Sequence, residues 1–224
     1  MSIDNEIPFE GTNDQQIIPI FPLPLVLFPG HPLPLHIFEK KYRKMLHDLK
    51  EDPRPIGIVL SRKDGHAQIG CMATWEMTLQ EYNDGRTDIL LLGTERFEVL
   101  EFIHDKDYLQ ARVRCIEEKE VPGEDLTLYR RKGLQTLWDL QKLLKAPEEL
   151  EMVEEMPSIA ISFLLASQDI FSLSEKQELL EFSDTSQRLY RGASIIQKQI
   201  LQLVKLQEVQ KIIGSEEDVR NILN

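Results

Sequence analysis

Histidine and cysteine are the side chains here best suited to metal or nucleophilic chemistry, and their spacing assembles neither. His31, His36, His47, His66 and His104 form no H-x-H and no H-E-x-x-H string. Cys71 and Cys115 form no C-x-x-C and no disulfide framework. Both stand in apolar alternating runs and read as small buried hydrophobes. A G-x-S-x-G nucleophile elbow is absent, and so is the phosphate-cradling G-x-x-x-x-G-K-[ST] loop. No metal, cofactor or catalytic residue is expected. Glu39 and Arg43 stand one helical turn apart, which predicts a local ion pair bracing a helix, with Arg96 joining from a sheet.

The elements that would position any site change character along the chain. Residues 1–16 read as a polar, flexible lead-in. Residues 17–35 then hold six of the 12 prolines, interleaved with apolar residues. Proline at this density forbids helix and interrupts a central strand, so an extended, irregular segment across the core is expected. Ile37, Phe38, Tyr42, Met45, Leu46 and Leu49 follow helical steps and predict a helix over 37–49.

From Ile56 to Glu118 the period is two. Trp75, Met77 and Leu79 alternate with Thr74, Glu76, Thr78 and Gln80, Asn83-Asp84-Gly85 marks a hairpin turn, and 86–92 returns as its partner. Gly93 allows a bend, 97–102 is a further strand, and Ala111, Val113 and Cys115 face inward from the last. Five or six short strands with tight turns predict a small barrel or strongly curved sheet.

After Pro122-Gly123 the pattern is helical. Helices are expected over 124–145, ended by Pro147, and over 158–167. A third is capped by Ser174 with Gln177, and a last long one runs from Asp184 or Thr185 to a C-cap at Gly214. The fold class is α+β, a curved β-barrel at 17–120 followed by an all-α bundle at 124–213, with 214–224 as a C-terminal tail.

The sequence carries 26 Lys+Arg against 38 Asp+Glu, a net charge of −12. Phosphate backbones and anionic lipid surfaces attract basic patches, so neither nucleic acid nor membrane is an expected partner. No run is long and apolar enough for a membrane span, and the acidic N-terminus lacks a signal-peptide pattern. A cytoplasmic protein is expected.

Several strings occur together in one order: Pro19-Ile20-Phe21-Pro22-Leu23, Leu27-Phe28-Pro29-Gly30, Leu33-Pro34-Leu35-His36-Ile37-Phe38-Glu39, Tyr42-Arg43, Ile69-Gly70-Cys71, Asp84-Gly85-Arg86, Gly93 and Arg96-Phe97. Leu164-Leu165-Ala166-Ser167, Glu175 to Glu181 and Arg188-Leu189 come after them. In this order they resemble the N-terminal, substrate-binding domain of Lon-type ATP-dependent proteases, over about residues 17–205. The resemblance implies a PUA-like β-barrel followed by a helical bundle. It makes Phe38, Glu39, Tyr42, Arg43, Gly70, Gly85, Gly93, Arg96 and Phe97 structural family positions. A Lon protease also carries an ATPase module and a Ser–Lys protease module. Lys63-Asp64-Gly65-His66-Ala67 echoes the latter's context only in part, with Ala67 at the nucleophile position. The chain thus reads as a stand-alone, non-catalytic Lon domain, despite a family label that suggests a peptidase.

The leading expectation is a binding module for unfolded or exposed polypeptide segments, with Phe28, Pro29, His31, Leu33, Tyr82 and Arg86 as candidate contact residues. The alternatives are a protein–protein adaptor acting through the helical bundle and, third, an RNA-binding PUA-like protein. The sequence does not set an oligomeric state.

Overall fold

Prolines decide how the N-terminal segment joins the sheet. The computed structural model describes residues 15–119, 123–144 and 153–222, the last seventeen of these by their backbone. The expected lead-in falls outside it, except that Gln15 and Gln16 already belong to a strand, and Pro147 and Pro122 also lie outside it. Two compact units divide the chain, Met1–Ile116 and Glu117–Asn224.

In the first unit the proline-rich segment is not irregular. It forms β1 (Gln15–Leu23) and β2 (Pro32–Ile37). Residues 15–19 of β1 pair antiparallel with β7 (Gln110–Cys115), and residues 20–23 pair parallel with β3 (Ile56–Arg62). Each half has a neighbour on one side only, and a strand edge is where a residue without an N–H is tolerated. Pro19 and Pro22 therefore fit. β2 pairs with β6 (Thr87–Ile103) alone, and its Pro32 and Pro34 are two apart on the solvent face. Leu33 and Ile37, on the other face, are buried.

Ile37 ends this strand, so the helix expected from residue 37 starts later, as α1 (Lys40–Glu51) with Glu39 at its N-cap. Phe38, expected on the apolar face of that helix, is 60% exposed. Tyr42, Met45, Leu46 and Leu49 are buried as the helical spacing predicted.

β3 turns through Lys63-Asp64 into β4 (Gly65–His66), and β5 (Ile69–Glu81) comes next. The two strands expected on either side of Gly93 are one 17-residue strand, β6. Gly93 is required there by proximity. It exchanges backbone bonds with Gly30 (2.8 Å) and His31 (2.9 Å), and a Cβ on it would collide with the Phe28 carbonyl oxygen. The pairings run β1–β7–β6–β5–β3, and β1 also pairs with β3, so the path returns to its start. Between Ile56 and Glu118 the described strands are five, β3 to β7, within the expected five or six, and β1 and β2 from the proline-rich segment bring the sheet to seven.

Alternate residues of these strands feed two clusters. One gathers Ile18, Ile20, Val59, Met72, Phe97 and Val113. The other gathers Phe21, Leu33, Ile58, Ile89 and Leu91 under Tyr42, Met45 and Leu49 of α1.

The second unit holds α2 (Glu124–Leu144), α3 (Ser158–Ser167), α4 (Leu173–Glu181) and α5 (Thr185–Ile222). α3 is apolar almost all round and buries Ile161, Phe163 and Leu165, as a helix without a polar stripe must. α4 is capped by Ser172, not Ser174. The Ser172 hydroxyl accepts from the Glu175 N–H, and the Glu175 carboxylate accepts from the Ser172 N–H at 2.8 Å. The competing Ser-x-x-Glu string, two residues before Ser-x-x-Gln, places a charged acceptor at the helix N-terminus. Asp184 caps α5 by accepting from Ser186 N (2.7 Å) and Gln187 N (3.1 Å). Gly214 does not end this helix, which continues through the expected tail to Ile222. Cys71 is buried as expected, but Cys115, at the end of β7, is exposed.

Candidate polypeptide-binding site

The β5–β6 hairpin is built by a turn that needs glycine. Gly85 has φ +82°, its N–H donates to Tyr82 O at 2.9 Å, and Tyr82 N donates to Arg86 O at 2.9 Å. The Gly85 backbone also leaves room for the Arg43 side chain, whose Nη1 lies 2.8 Å from where a Cβ would stand. From there Arg43 Nη1 donates to Asp84 O at 2.9 Å, fastening the hairpin tip to α1. The expected Glu39–Arg43 ion pair is replaced. Glu39 pairs with Lys41 at 3.2 Å instead, and Arg96 is buried in β6.

Side chains around the tip form a polar–aromatic cluster. Asp88 accepts from His36 Nδ1 and from the Tyr82 hydroxyl (2.8 Å). These two bonds, His36 first, hold the Asp88 carboxyl below the usual carboxylate range, and the bond to Asp88 raises the Tyr82 phenol. The Arg86 guanidinium stands 5.1 Å from the Tyr82 ring centroid, and its Nε donates to Asp84 at 2.7 Å. The His36 ring stacks on Phe38 at 6.0 Å.

Two irregularities then reshape β5. Trp75 is opposite Leu91 but Met77 is opposite Leu90, and Thr78 is opposite Ile89 but Gln80 is opposite Asp88. Each shift inserts one extra residue and reverses the face of the residues beyond it. Trp75 therefore turns inward with buried Leu91, while Met77 turns outward with Leu90. Met77 is 53% and Leu79 52% exposed. Thr74–Glu81 pairs with β6 alone among the described strands, so this half of β5 is an open edge.

On the inner side a groove of about 180 Å³ separates the hairpin from α1. Arg43, Leu46, His47 and Lys50 line it from the helix, and Trp75, Gly85 and Thr87 from the hairpin. Lys50 Nζ is 5.7 Å from the Trp75 ring centroid and 3.4 Å from Glu81 Oε1.

The six residues expected to touch a polypeptide are thus dispersed. Phe28 and Leu33 are buried core residues, committed to packing. Pro29 and His31 are half-buried in the turn facing Gly93, where His31 Nδ1 bonds Pro29 O at 3.1 Å. Tyr82 and Arg86 alone sit at the hairpin tip. The sequence reading missed Met77, Leu79 and Phe38 as exposed apolar residues, because simple alternation turns Met77 and Leu79 toward the core. It also missed the basic stripe Arg43, His47 and Lys50, which its spacing of four and three does signal. Gly70 and Phe97 face each other across β5 and β6 in the buried layer. No cluster of His, Cys, Asp and Glu fit to hold a metal occurs among the described residues, and no described helix is long and apolar enough to cross a membrane.

Comparison gives the family: residues 17–198 match the ATP-dependent protease La (LON) substrate-binding domain, and the chain is a member of that family. Lon protease 2 of Myxococcus xanthus is 30% identical over 188 residues, 78% of this chain and 22% of that protein. Lon protease of Azospirillum brasilense is 27% identical over 90% of this chain and 30% of its own length. The chain therefore spans under a third of these curated relatives. The N-terminal domain of a Mycobacterium avium complex Lon protease superposes with a TM-score of 0.70 at 16% identity, over 81% of this chain and 98% of that one. A Lon N-terminal domain protein from Xanthomonas campestris gives 0.61 at 23%, over 79% and 96%. These two establish likeness of fold.

Proposed function

We propose that the first unit, read as a PUA-like barrel, binds exposed or unfolded polypeptide segments along the open edge of β5, without itself cleaving peptide bonds. The observation that carries this is the outward turn of Met77 and Leu79 beside unpaired strand backbone. An extended peptide can add to such an edge through main-chain bonds and place alternate side chains on the exposed apolar residues. Another edge of the sheet, β2, is blunted by Pro32 and Pro34, which lack the N–H that strand addition needs. Family membership supports the same reading, since the matched family is named for substrate binding. A pull-down of a carboxymethylated, permanently unfolded protein tests it. Retention at physiological salt without ATP is expected, with loss in the Met77→Asp/Leu79→Asp double variant. No retention by the parent chain contradicts the proposal.

A second reading has its own observation. Leu201, Leu203 and Val204 of α5 are exposed, which suits a helical unit that engages a protein partner. Sedimentation of Leu201→Glu/Val204→Glu beside the parent distinguishes it. Identical monomer profiles with no co-purifying protein argue against a partner there.

A further inference from the structure

The groove between α1 and the hairpin sets a second requirement on the bound segment. Arg43 is half-buried, and among the described residues its side chain is fixed by one bond, to a backbone carbonyl. A guanidinium has five N–H donors in a planar fork that matches a carboxylate, yet no described carboxylate pairs with this one. That is unusual company for a chain with 12 more acidic than basic residues. Lys50 and His47 stand on the same helix face, and the seven lining residues include no acid. Two acids outside the lining reach its cations at the long end of ion-pair range, Glu81 at 3.4 Å from Lys50 and Glu51 at 4.0 Å from His47, and both are solvent-exposed. The walls between these cations are apolar, made by Leu46 and Trp75. At roughly 30 Å³ per water the groove holds about six waters. This suits one residue-sized group and is below the size of pockets that take drug-sized ligands.

We propose that this groove takes a carboxylate carried on a short apolar stem, its charge on Arg43 and Lys50 and its stem against Trp75 and Leu46. The carrier's identity rests on the polypeptide-binding reading above. Trp75 belongs to the open edge of β5, and Trp75 and Met77 face opposite sides of it. A strand added along that edge alternates its side chains in the same way. An acidic residue seated in the groove then has apolar neighbours directed toward Met77 and Leu79. The preferred segment is a carboxylate flanked by apolar residues. Its source is an internal Glu or Asp, or the carboxylate of a chain terminus.

The test tracks the Trp75 indole resonance and the affinity of short peptides. One bears a central Glu between apolar residues, one has Gln in its place, and each is made with a free and an amidated C-terminus. A preference of about tenfold for Glu over Gln, the size expected for one charge-assisted contact, supports the proposal if it vanishes in Arg43→Gln or Lys50→Gln. The same preference for the free over the amidated terminus, lost in the same variants, supports it and assigns the source to the chain end. Equal affinities throughout, or a preference that survives both substitutions, overturn it and leave binding at Met77 and Leu79 standing. If no peptide binds, the functional reading itself fails, and isovalerate against isovaleramide then tests the groove. A Trp75 shift with the acid alone supports the carboxylate site, and no shift overturns it.

Discussion

Arg188 Nη2 donates to Glu118 Oε2 at 2.8 Å, joining α5 to the start of its own unit across 70 positions. The arginine is fully buried. Nε donates to Leu179 O at 3.2 Å, Nη1 to Ser162 Oγ at 2.8 Å, Nη2 also to Phe182 O, and the guanidinium stands 4.1 Å from the Phe163 ring centroid. Beside it Lys119 and Thr185 bond through their backbones, Thr185 N to Lys119 O at 3.1 Å. One side chain thus ties α3, α4 and α5 to the strand-like entry segment.

Removing such a group leaves several buried acceptors unpaired. Arg188→Met is expected to cost about 3 kcal/mol of stability, and Glu118→Gln about 1, because Glu118 keeps partial access to water. Urea titrations of the two variants check this order. A cost below about 1 kcal/mol for Arg188→Met contradicts the role assigned to it.

Gly93→Ala places a methyl group against the Phe28 carbonyl, backbone that cannot rotate away. A loss of about 1–3 kcal/mol is expected. Gly85→Ala strains a positive φ and displaces Arg43, with an expected loss of about 1 kcal/mol and a loosened hairpin tip. Hydrogen exchange separates them: Gly93→Ala speeds exchange across β2 and β6, and Gly85→Ala at the tip.

Asp48 accepts from Lys106 Nζ and from the Tyr108 hydroxyl, both at 2.8 Å. These bonds, Lys106 first, hold its carboxyl below its ordinary value. An unfolded Asp titrates near about 3.9. The contribution is thus fully present at neutral pH and is lost as pH falls below about 4, through the depressed folded value. Stability measured from pH 6 to pH 2 is expected to fall less steeply in Asp48→Asn. An unchanged profile removes this account.

The two thiols differ in access and acidity. Burial pushes Cys71 up to about 12, while Cys115 is exposed at the end of β7. A thiol reagent at pH 8 is expected to label Cys115 in the native protein and Cys71 only after unfolding. Mass mapping of the labelled peptides decides it.

Legibility from residues alone depended on whether a rule was local. Asp84-Gly85 signalled its turn because positive φ is a property of the residue itself. Helical spacing found α3 over its full extent. Pro19 and Pro22 misled because a proline is excluded only from a strand paired on both sides, and the switch of β1 from β7 to β3 is a tertiary fact. Gly93 reads as a strand break, yet its role is close backbone approach within one long strand. The site suffered most. Met77 alternates with its neighbours as a core residue would, and the shift that turns it outward is written in pairing with β6. The start of α1 moved because Ile37 satisfies both a strand face and a helix stripe.

The most direct measurement is an amide-resonance map of the chain titrated with an unfolded, unlabelled polypeptide. Binding along the open edge predicts shifts concentrated at Thr74–Glu81 and at Phe38, with little change in β7, and their loss in Met77→Asp/Leu79→Asp. Shifts centred on other strands or on the helical unit, or no shifts at saturating polypeptide, contradict it.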